Sequence, residues 1–419
     1  MVHKHIQDSN GFKKFNLEGP FKQHRYKTAF LIFEFLLLGL EHTFSYWERT
    51  AFIDHADVII IGSGIVGLSA ALHLKRQQPQ LKVTVLERGF LPSGASTKNA
   101  GFACFGTLSE QIAYLKKSSE EEVLRLVDYK WRGLQRLREN LGDANIDFHQ
   151  YGGYELFMDS EKGKAEEALD QLTWFNNLLK QAIGSAEIYK AADAKIAEFG
   201  FKGISRMIFN PYEGQIHTGK MMRALLNKVC DVGVLVLNNC SVNHIANENG
   251  QVRLATSHGD FKTSKVILAT NAFAAQLYPG LDVIPGRGQV LVTKPIAGLK
   301  LKGTYHFNEG YYYFRNIDDR LLFGGGRNID FKQEETWDFG HTDGVKNSLI
   351  YYLNEVILPG QNYEIDYWWS GIMGFGEDIS PIIKEVQPNV YCAVRCNGMG
   401  VAMGSLVGEE VANLAYPTT

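Results

Sequence analysis

The sequence has little excess charge, few cysteines and no long hydrophobic run. Its 43 Lys and Arg residues nearly balance 46 Asp and Glu residues, and no basic block is present that could neutralise a nucleic-acid backbone, so we expect no nucleic-acid partner. The five cysteines have unrelated spacings and form no CxxC pair. We therefore predict no disulfide framework, no metal site, and a reducing, cytoplasmic location.

The first 55 residues form an N-terminal extension ahead of the first recognisable domain. Residues 29–40 are an apolar stretch of 12 residues, too short for the roughly 20 residues that cross a bilayer. A signal peptide is disfavoured because no small-residue cleavage site follows. The remaining interpretations are a packed or frayed helix, translated sequence upstream of the true start, and a peripheral membrane contact through residues 29–40.

Glycine is the residue in excess, with 42 among 419 residues against a usual share of about 7%. The first glycine motif, Gly62, Gly64 and Gly67, follows an apolar run and precedes a helical pattern. Gly62 allows a tight turn, Gly64 lets backbone N–H groups approach a pyrophosphate, and Gly67 lets the helix lie close to the strand. The spacing predicts a strand, turn and helix that bind a dinucleotide.

A second predicted strand, residues 82–87, ends in Glu87, which lies 20 residues beyond Gly67. A carboxylate at this point accepts hydrogen bonds from the hydroxyls of an adenosine ribose and argues against the 2′-phosphate of NADP. Residues 94–101 then form a loop of small and hydroxyl-bearing residues. This loop predicts a second wall around a pyrophosphate and a ribityl chain, and a solvated Ser/Gly loop is the alternative.

Six ordered blocks carry a resemblance to a known family. They are the glycine motif with Glu87 and Arg88, and the segments 94–101, 266–272, 287–292, 311–326 and 369–402. In this order they resemble the FAD-dependent amine and amino-acid oxidases, the family that includes D-amino-acid oxidase, glycine oxidase and monomeric sarcosine oxidase. The resemblance covers most of residues 56–415 and leaves out the first 50 residues.

The resemblance implies an α/β fold, in which a Rossmann-like FAD-binding domain of glutathione-reductase type is interleaved with a substrate domain on an antiparallel sheet. It places the FAD-binding domain at residues 56–107, 205–285 and 368–419, and the substrate domain at residues 108–204 and 286–367. Within the substrate domain, Ser118 and Ser119 offer capping boxes that predict one long amphipathic helix. Apolar spacing predicts a second helix over residues 165–179 and a strand over residues 151–158.

FAD is the cofactor that the resemblance implies, bound without a covalent link because Gly371 stands where the sarcosine-oxidising branch has its anchoring cysteine. Glycines before the last helix would direct N–H groups at the flavin edge, and close helix–sheet packing is the alternative. The implied FAD contacts are Gly62, Gly64, Ile65, Val66, Gly67, Glu87, Arg88, Ser96, Thr97, Asn99, Gly101, Val242, Thr270, Gly371, Gly398, Met399, Gly400 and Val401.

The family's reaction is oxidation of a C–N bond: a hydride passes from the carbon bearing a neutral amine to flavin N5, and water hydrolyses the imine. The candidate residues at the substrate are Tyr313, Arg315, Arg287 and Met373. Met373 stands where amino-acid-oxidising members have the arginine that clamps the carboxylate, and Gly398 where glycine-oxidising members have a second arginine. The expected substrate is an amine, a larger N-substituted amine, or an amino acid whose carboxylate is held by another arginine.

Neither the electron acceptor nor the reaction class is fixed by these residues. Leu322 stands where the sarcosine-oxidising branch has the lysine that speeds reaction with oxygen, so the acceptor is either oxygen or a quinone or electron-carrier protein. Oxidation of a 2-hydroxy acid would need a base such as His306 or His217 near the flavin. A flavin-binding protein without turnover and an NAD-dependent dehydrogenase are also consistent with the glycine motif and Glu87.

Overall fold

The computed structural model describes residues 44–417, apart from residues 55 and 249. The membrane contact proposed for residues 29–40 lies outside the described residues. The strands are β1 (Ala56–Ile61), β2 (Val83–Leu86), β3 (Phe102–Ala103), β4 (Gly153–Met158), β5 (Lys190–Ala191), β6 (Ile204–Asn210), β7 (Gly214–Gln215), β8 (Leu235–Leu237), β9 (Val242–Glu248), β10 (Gln251–Thr256), β11 (Gly259–Leu268), β12 (Ile284–Thr293), β13 (Thr304–Phe307), β14 (Tyr312–Ile317), β15 (Arg320–Gly325), β16 (Ile365–Phe375), β17 (Ile382–Gln387) and β18 (Val390–Val394).

Helices cover the sheets and connect the strands. The α-helices of four or more residues are α1 (Ile65–Gln77), α2 (Ala95–Lys98), α3 (Leu108–Leu115), α4 (Glu120–Leu141), α5 (Asp143–Ile146), α6 (Lys162–Ile183), α7 (Ala194–Phe199), α8 (Thr218–Asp231), α9 (Ala274–Leu277), α10 (Phe331–Glu334), α11 (Asp343–Tyr352) and α12 (Gly400–Ala415). Short helical turns also occur at Tyr46–Glu48, Arg49–Ile53, Asp159–Glu161, Asn271–Phe273, Arg327–Ile329 and Leu353–Ile357. None of the helices in the described part of the chain is long and apolar enough to cross a membrane.

The first sheet has the parallel core of a dinucleotide-binding domain. Its order is β17-β18-β11-β1-β2-β8, with β18, β11, β1, β2 and β8 parallel to one another and β17 antiparallel at the edge. The hairpin of β9 and β10 adds to β11. Helices α1, α4, α8 and α12 share one hydrophobic core with the strands β1 and β2. Val58 and Ile60 face this core, and Ile59 and Ile61 on the other face of β1 are also buried, which explains the continuous apolar run at the end of the strand.

The second sheet is antiparallel except at one pair of strands. Its order is β16-β12-β15-β14-β13-β4-β6-β5, and only β13 and β4 run parallel. One face carries an aromatic core in which the rings of Tyr305 and Phe314 stack with centroids 4.6 Å apart, and α11 packs against that core. The predicted fold class, a Rossmann-like domain with an antiparallel substrate sheet, is confirmed.

Three strands of the second sheet lie across the predicted domain boundaries. Strand β6 pairs with β4, and β16 pairs with β12 along its length from Ile365 to Phe375. Boundaries at residues 205, 286 and 368 therefore cut through substrate-sheet strands, so we place these boundaries after residue 210, before residue 284 and after residue 375. The sequence did not show this, because the apolar patterns of these strands do not reveal which sheet they join.

The local predictions for the substrate domain hold. Ser119 caps α4: its hydroxyl accepts a hydrogen bond from the N–H of Glu122 at 3.2 Å, and Glu122 accepts one from the N–H of Ser119 at 3.1 Å. This reciprocal pair satisfies two N–H groups that the first turn leaves without partners. Helix α6 and strand β4 contain the predicted segments almost entirely.

Candidate active site

A cavity of about 740 Å³ lies where the carboxyl ends of β1 and β2 meet the second sheet. Its walls include Ile61 and Leu86 from the first sheet, and Val290, Tyr313 and Gly371 from the second. The edge where parallel strands end is the usual ligand site of open α/β sheets, and the volume is that of a small-molecule pocket. Residues of both predicted domains therefore meet around one cavity.

The N-terminus of α1 forms an anion site at one end of this cavity. A Cβ atom added to Gly67 would stand 2.0 Å from the carbonyl oxygen of Gly62, so only glycine lets the helix lie this close to the turn. The hydroxyl of Ser96 accepts a hydrogen bond from the N–H of Ile65 at 2.9 Å. Because the N–H groups of a helix N-terminus point at this place, it suits a pyrophosphate.

Glu87 is fixed next to the anion site. One carboxylate oxygen accepts hydrogen bonds from the N–H and the hydroxyl of Ser63, at 3.1 and 2.7 Å, and the other accepts one from the N–H of Gly89 at 2.8 Å. A carboxylate can accept about four hydrogen bonds, so capacity remains for a ribose hydroxyl. Arg88 stacks its guanidinium over the ring of Phe273 at 3.6 Å, and both residues line the cavity.

The loop of residues 94–101 is held in place by Asn99. Its side-chain oxygen accepts hydrogen bonds from the N–H of Gly101 at 2.8 Å and from the hydroxyl of Thr218 at 2.9 Å. Arg315 donates to the carbonyl of Ala100, and Trp369 donates to that of Lys98 at 2.9 Å. The loop is thereby attached to the second sheet and forms one wall of the cavity, as the second-wall interpretation requires.

Most of the predicted FAD contacts line the cavity, and three do not. Those on the wall are Gly62, Gly64, Ile65, Val66, Glu87, Arg88, Ser96, Asn99, Val242, Thr270, Gly371, Gly398, Met399, Gly400 and Val401. Gly67 lies behind the turn, where it sets the position of α1. Thr97 instead donates a hydrogen bond to the carbonyl of Pro92, and Gly101 packs against Arg315 with a φ of +75°. These three residues shape the wall without being part of it.

The polar groups on the cavity wall suit FAD. Thr270 and Asn271 line it, and their buried side-chain oxygens have no hydrogen-bond partner among the described residues. Buried polar atoms normally have hydrogen-bond partners, so these two oxygens are suited to a polar ligand. The anion site, the ribose acceptor Glu87 and these oxygens lie along one continuous cavity, which also reaches Gly398 and Met399 before α12.

Tyr313 and Met373 stand together on the substrate-sheet wall. A Cβ atom added to Gly288 would lie 3.7 Å from the Tyr313 hydroxyl and 2.9 Å from Cε of Met373, so the two side chains meet over this glycine. Burial raises the pKa of Tyr313 to about 12, opposed by the positive charge of Arg327. The phenol is therefore neutral and can donate a hydrogen bond into the cavity. Tyr312 points the other way and bonds Ser348 at 2.8 Å.

Arg327 is a charged cavity residue that sequence reasoning missed. It lines the cavity beside Tyr313, and its guanidinium stacks 3.8 Å above the ring of Phe375. Gly325, at a φ of +121°, turns the chain there, and a Cβ atom on it would stand 2.0 Å from the carbonyl oxygen of Tyr311. The sequence block 311–326, which carries part of the family resemblance, ends directly before Arg327. The signal that could have identified Arg327 is its position as a charged residue directly after three glycines.

Arg287 and Arg315, predicted at the substrate, do not line the cavity. Arg287 forms an ion pair with Glu334 at 2.8 Å, and Arg315 uses its donors on carbonyl groups, among them that of Ile216 at 3.0 Å. We therefore withdraw both as substrate contacts. Of the two histidines considered as bases, His306 lines the cavity, whereas His217 caps α8 and accepts a hydrogen bond from the N–H of Lys220 at 3.1 Å.

A dinucleotide cradle that opens into a cavity between two interleaved sheets defines a flavin-dependent oxidoreductase. The sequence model of the family described as FAD dependent oxidoreductase (DAO) matches residues 57–414. The chain belongs to this family, FAD is its cofactor, and it is an enzyme of the group that acts on amine and amino-acid-like substrates.

Three known proteins illustrate the relationship. The probable oxidoreductase OrdL of Haemophilus influenzae is 26% identical over 388 residues, which cover 86% of this chain and 83% of that protein. Glycine oxidase of Geobacillus kaustophilus is 25% identical over 371 residues, covering 85% and 92%. The crystal structure of L-proline dehydrogenase from P. horikoshii matches with a TM-score of 0.70 at 21% identity, over 87% of this chain and 94% of that one, and shows the shared fold.

Proposed function

We propose that this enzyme oxidises the C–N bond of an amine that also carries a carboxylate, and that it binds FAD non-covalently. The observation that supports this proposal is Arg327. Its guanidinium lines the cavity beside Tyr313, and within the described part of the chain it forms no ion pair with a carboxylate. The guanidinium is held against the rings of Tyr311, Phe331 and Phe375, and a substrate carboxylate can supply an anionic partner for it.

Arg327 can replace the arginine that is missing at Met373. Met373 and Phe375 point to the same face of β16, because alternate residues of a strand share a face. Arg327 stacks on Phe375, so its guanidinium reaches the neighbourhood of Met373 from the end of β15. A planar guanidinium forms two parallel hydrogen bonds to a carboxylate, which fixes the orientation of the substrate as well as its position.

The remaining groups at this end of the cavity orient the amine. The neutral phenol of Tyr313 can donate a hydrogen bond near Met373, and Gly288 and Gly371, which line the cavity, have no side chains that would displace Met373 and Lys98. Bound FAD would supply the two-electron acceptor for the oxidation. The protein's own contribution is to hold the carbon that bears the amine in one orientation at the Gly371 wall.

Anaerobic titration of the purified yellow protein tests the proposal. Alanine and ethylamine differ only in the carboxylate, and alanine and lactate differ only in having an amine or a hydroxyl group. N-methylglycine with dimethylamine, and proline with pyrrolidine, are two further pairs that differ only in the carboxylate. We expect the visible flavin band to bleach with a carboxylate-bearing amine and not with its partner lacking the carboxylate. Acid precipitation should leave the flavin in the supernatant, as expected for non-covalent FAD.

A second candidate function, oxidation of a 2-hydroxy acid, is supported by the position of His306 on the cavity wall. Bleaching by lactate without bleaching by any amine would favour it. If, in a matched pair, only the amine without a carboxylate bleaches the flavin, the role proposed for Arg327 is wrong. If no compound bleaches the flavin, only the proposal of flavin binding stands. Admission of air then separates oxygen from a quinone or carrier protein as acceptor.

A further inference from the structure

Three potential metal ligands from distant parts of the sequence meet beside the cavity. Cys104 follows β3, Glu213 lies between β6 and β7, and His306 is on β13. The thiol sulfur, a carboxylate oxygen and an imidazole nitrogen of these residues all lie within 4.8 Å of one another. All three residues are buried, with 5%, 3% and 8% of their surfaces exposed.

The imidazole of His306 indicates that this group is incomplete. Neither ring nitrogen has a hydrogen-bond partner within the described part of the chain, although the residue is buried. The ring is held edge-on against Phe102, with centroids 4.9 Å apart. Buried polar atoms are normally hydrogen-bonded, and here both nitrogens are unpaired. The most economical explanation is a ligand that takes one of them.

The chemistry of the three donors selects the ligand. Thiolate, carboxylate and imidazole are the groups that bind Zn²⁺, and in a tetrahedral site such atoms lie about 3.5 Å apart. The separations in the structure are at most 4.8 Å, so the three atoms would have to move closer together to bind one ion. A thiolate and a carboxylate carry two negative charges, which one divalent cation neutralises, so the filled site is acceptable in a buried environment.

The surrounding charges offset each other. Glu110 and Lys130 both approach Gly106, where an added Cβ atom would lie 3.1 Å from the Glu110 carboxylate and 3.7 Å from the Lys130 ammonium. The remaining acidic neighbour is Glu155. Its carboxylate accepts hydrogen bonds from backbone N–H groups at the N-terminus of α3, including the N–H of Leu108 at 3.0 Å. The Lys130 ammonium also acts electrostatically on Cys104 and Glu213, and the Glu110 carboxylate, which acts on the same two groups, offsets it.

We propose that Cys104, Glu213 and His306 bind one divalent transition-metal ion of the zinc type. Cys104 and His306 also line the flavin cavity, which provides a path of entry for the ion. Three protein ligands with one open position are the arrangement of reactive rather than purely structural zinc sites. The site rests on its own geometry and does not depend on which substrate the flavin oxidises.

Metal retention by the full-length, FAD-loaded protein tests this site. The protein is treated with a chelator, mixed with Zn²⁺ or Co²⁺ and passed through a desalting column before elemental analysis. We expect one ion per chain, and for Co²⁺ the ligand-field bands of a thiolate-bound tetrahedral ion in the red, where oxidised flavin does not absorb. Cys104→Ser and His306→Gln should each weaken retention by more than about tenfold.

Cys240→Ser is the matched control, because Cys240 is also buried and lines the cavity but is not part of the group. It should retain the ion as the unaltered protein does, and the flavin spectrum of each variant reports whether it has folded. The proposal is overturned if the unaltered protein retains no ion. It is equally overturned if folded Cys104→Ser and His306→Gln retain as much ion as the control.

Discussion

The guanidinium of Arg287 and the carboxylate of Glu334 form a buried ion pair that ties α10 to β12. Nε of Arg287 donates to Glu334 at 2.8 Å, and a terminal nitrogen donates to the second carboxylate oxygen at 3.2 Å. Gln289 and Thr342 also donate to that oxygen, at 2.8 and 2.9 Å. Both oxygens of the carboxylate therefore have hydrogen-bond donors from the substrate sheet and its neighbouring loop. Arg287 accordingly has a structural role.

Glu334→Gln should destabilise the protein by about 3–5 kcal/mol, because it leaves the Arg287 charge buried without its partner. Denaturant unfolding of the two proteins at neutral pH measures this difference. Binding of FAD to the folded variant should stay close to normal, since neither residue lines the cavity. A variant of normal stability that fails to bind FAD would contradict the structural role.

The same pair has a predictable pH dependence. Burial raises the pKa of Glu334, but hydrogen bonds from Arg287, Gln289 and Thr342 outweigh it and hold the pKa below 4.5. A depressed carboxyl pKa stabilises the folded state above the unfolded pKa, and this contribution is lost as pH falls through the folded pKa. The stability difference between the protein and Glu334→Gln should be full at neutral pH and shrink in acid below about 4.5. A difference that stays constant would count against the ionised pair.

Gly67→Ala should prevent α1 from packing against the turn after β1. The added Cβ atom would stand 2.0 Å from a backbone oxygen, and such overpacking costs about 1–3 kcal/mol or more. We expect a lower unfolding midpoint together with lost FAD. Gly163→Ala in α6 is the control, because nothing lies within 4 Å of its Cβ position; it should be neutral or stabilising by about 0.5–1 kcal/mol.

Glu87→Ala should weaken FAD binding by about 10–100-fold, the effect of losing a charged hydrogen-bond acceptor worth about 1.5–3 kcal/mol. Ultrafiltration of the holoprotein, with flavin measured in the filtrate, gives the affinity. Asp57→Ala is the matched control: its carboxylate accepts a hydrogen bond from the N–H of Lys82 at 2.8 Å and is not on the cavity wall. Equal loss of FAD from both variants would show that Glu87 acts only on folding.

Arg327→Met should weaken binding of a carboxylate probe, such as benzoate or acetate, by about 10–100-fold, because the charged pair is lost. The probe's perturbation of the flavin spectrum gives its dissociation constant. The affinity of Arg327→Lys for the probe should lie between those of the unaltered protein and Arg327→Met, because an ammonium group keeps the charge but lacks the planar pair of donors of a guanidinium. Arg320→Met, at the start of the strand that precedes Arg327 but paired with Asp366 and off the cavity wall, should bind the probe normally. Unchanged binding by Arg327→Met would remove the basis for a carboxylate substrate.

The contiguous parts of the site could be predicted from the sequence. The glycine motif, Glu87 and the loop of residues 94–101 lie within 40 residues of chain, so spacing alone encodes how they meet. The capping box at Ser119 is likewise local, and the structure has it as predicted. Such features depend on backbone geometry over a few residues, which sequence periodicity reports directly.

The parts that the sequence did not reveal depend on long-range packing. The direction in which Arg327 leaves β15 follows from the positive φ of Gly325 and from Phe375 on another strand. Cys104 and Glu213 are more than 100 residues apart, so no ligand spacing signals their contact, and the expectation that no metal site exists considered cysteine spacing alone. Membership of β6 and β16 in the second sheet is set by pairing partners rather than by their own patterns.

The most direct test of amine oxidation is product analysis after a single anaerobic turnover. The holoprotein is mixed with slightly more than one equivalent of the bleaching amine, and the carbonyl product and released amine are quantified against reduced flavin. For an acyclic amine, oxidation of the C–N bond predicts one carbonyl and one released amine or ammonia for each flavin reduced; for a cyclic amine such as proline, it predicts one ring-opened molecule that carries both the carbonyl and the amine. Flavin reduction by an amine without formation of a carbonyl, or reduction only by the hydroxy acid lactate to its oxo acid, would contradict the proposed function.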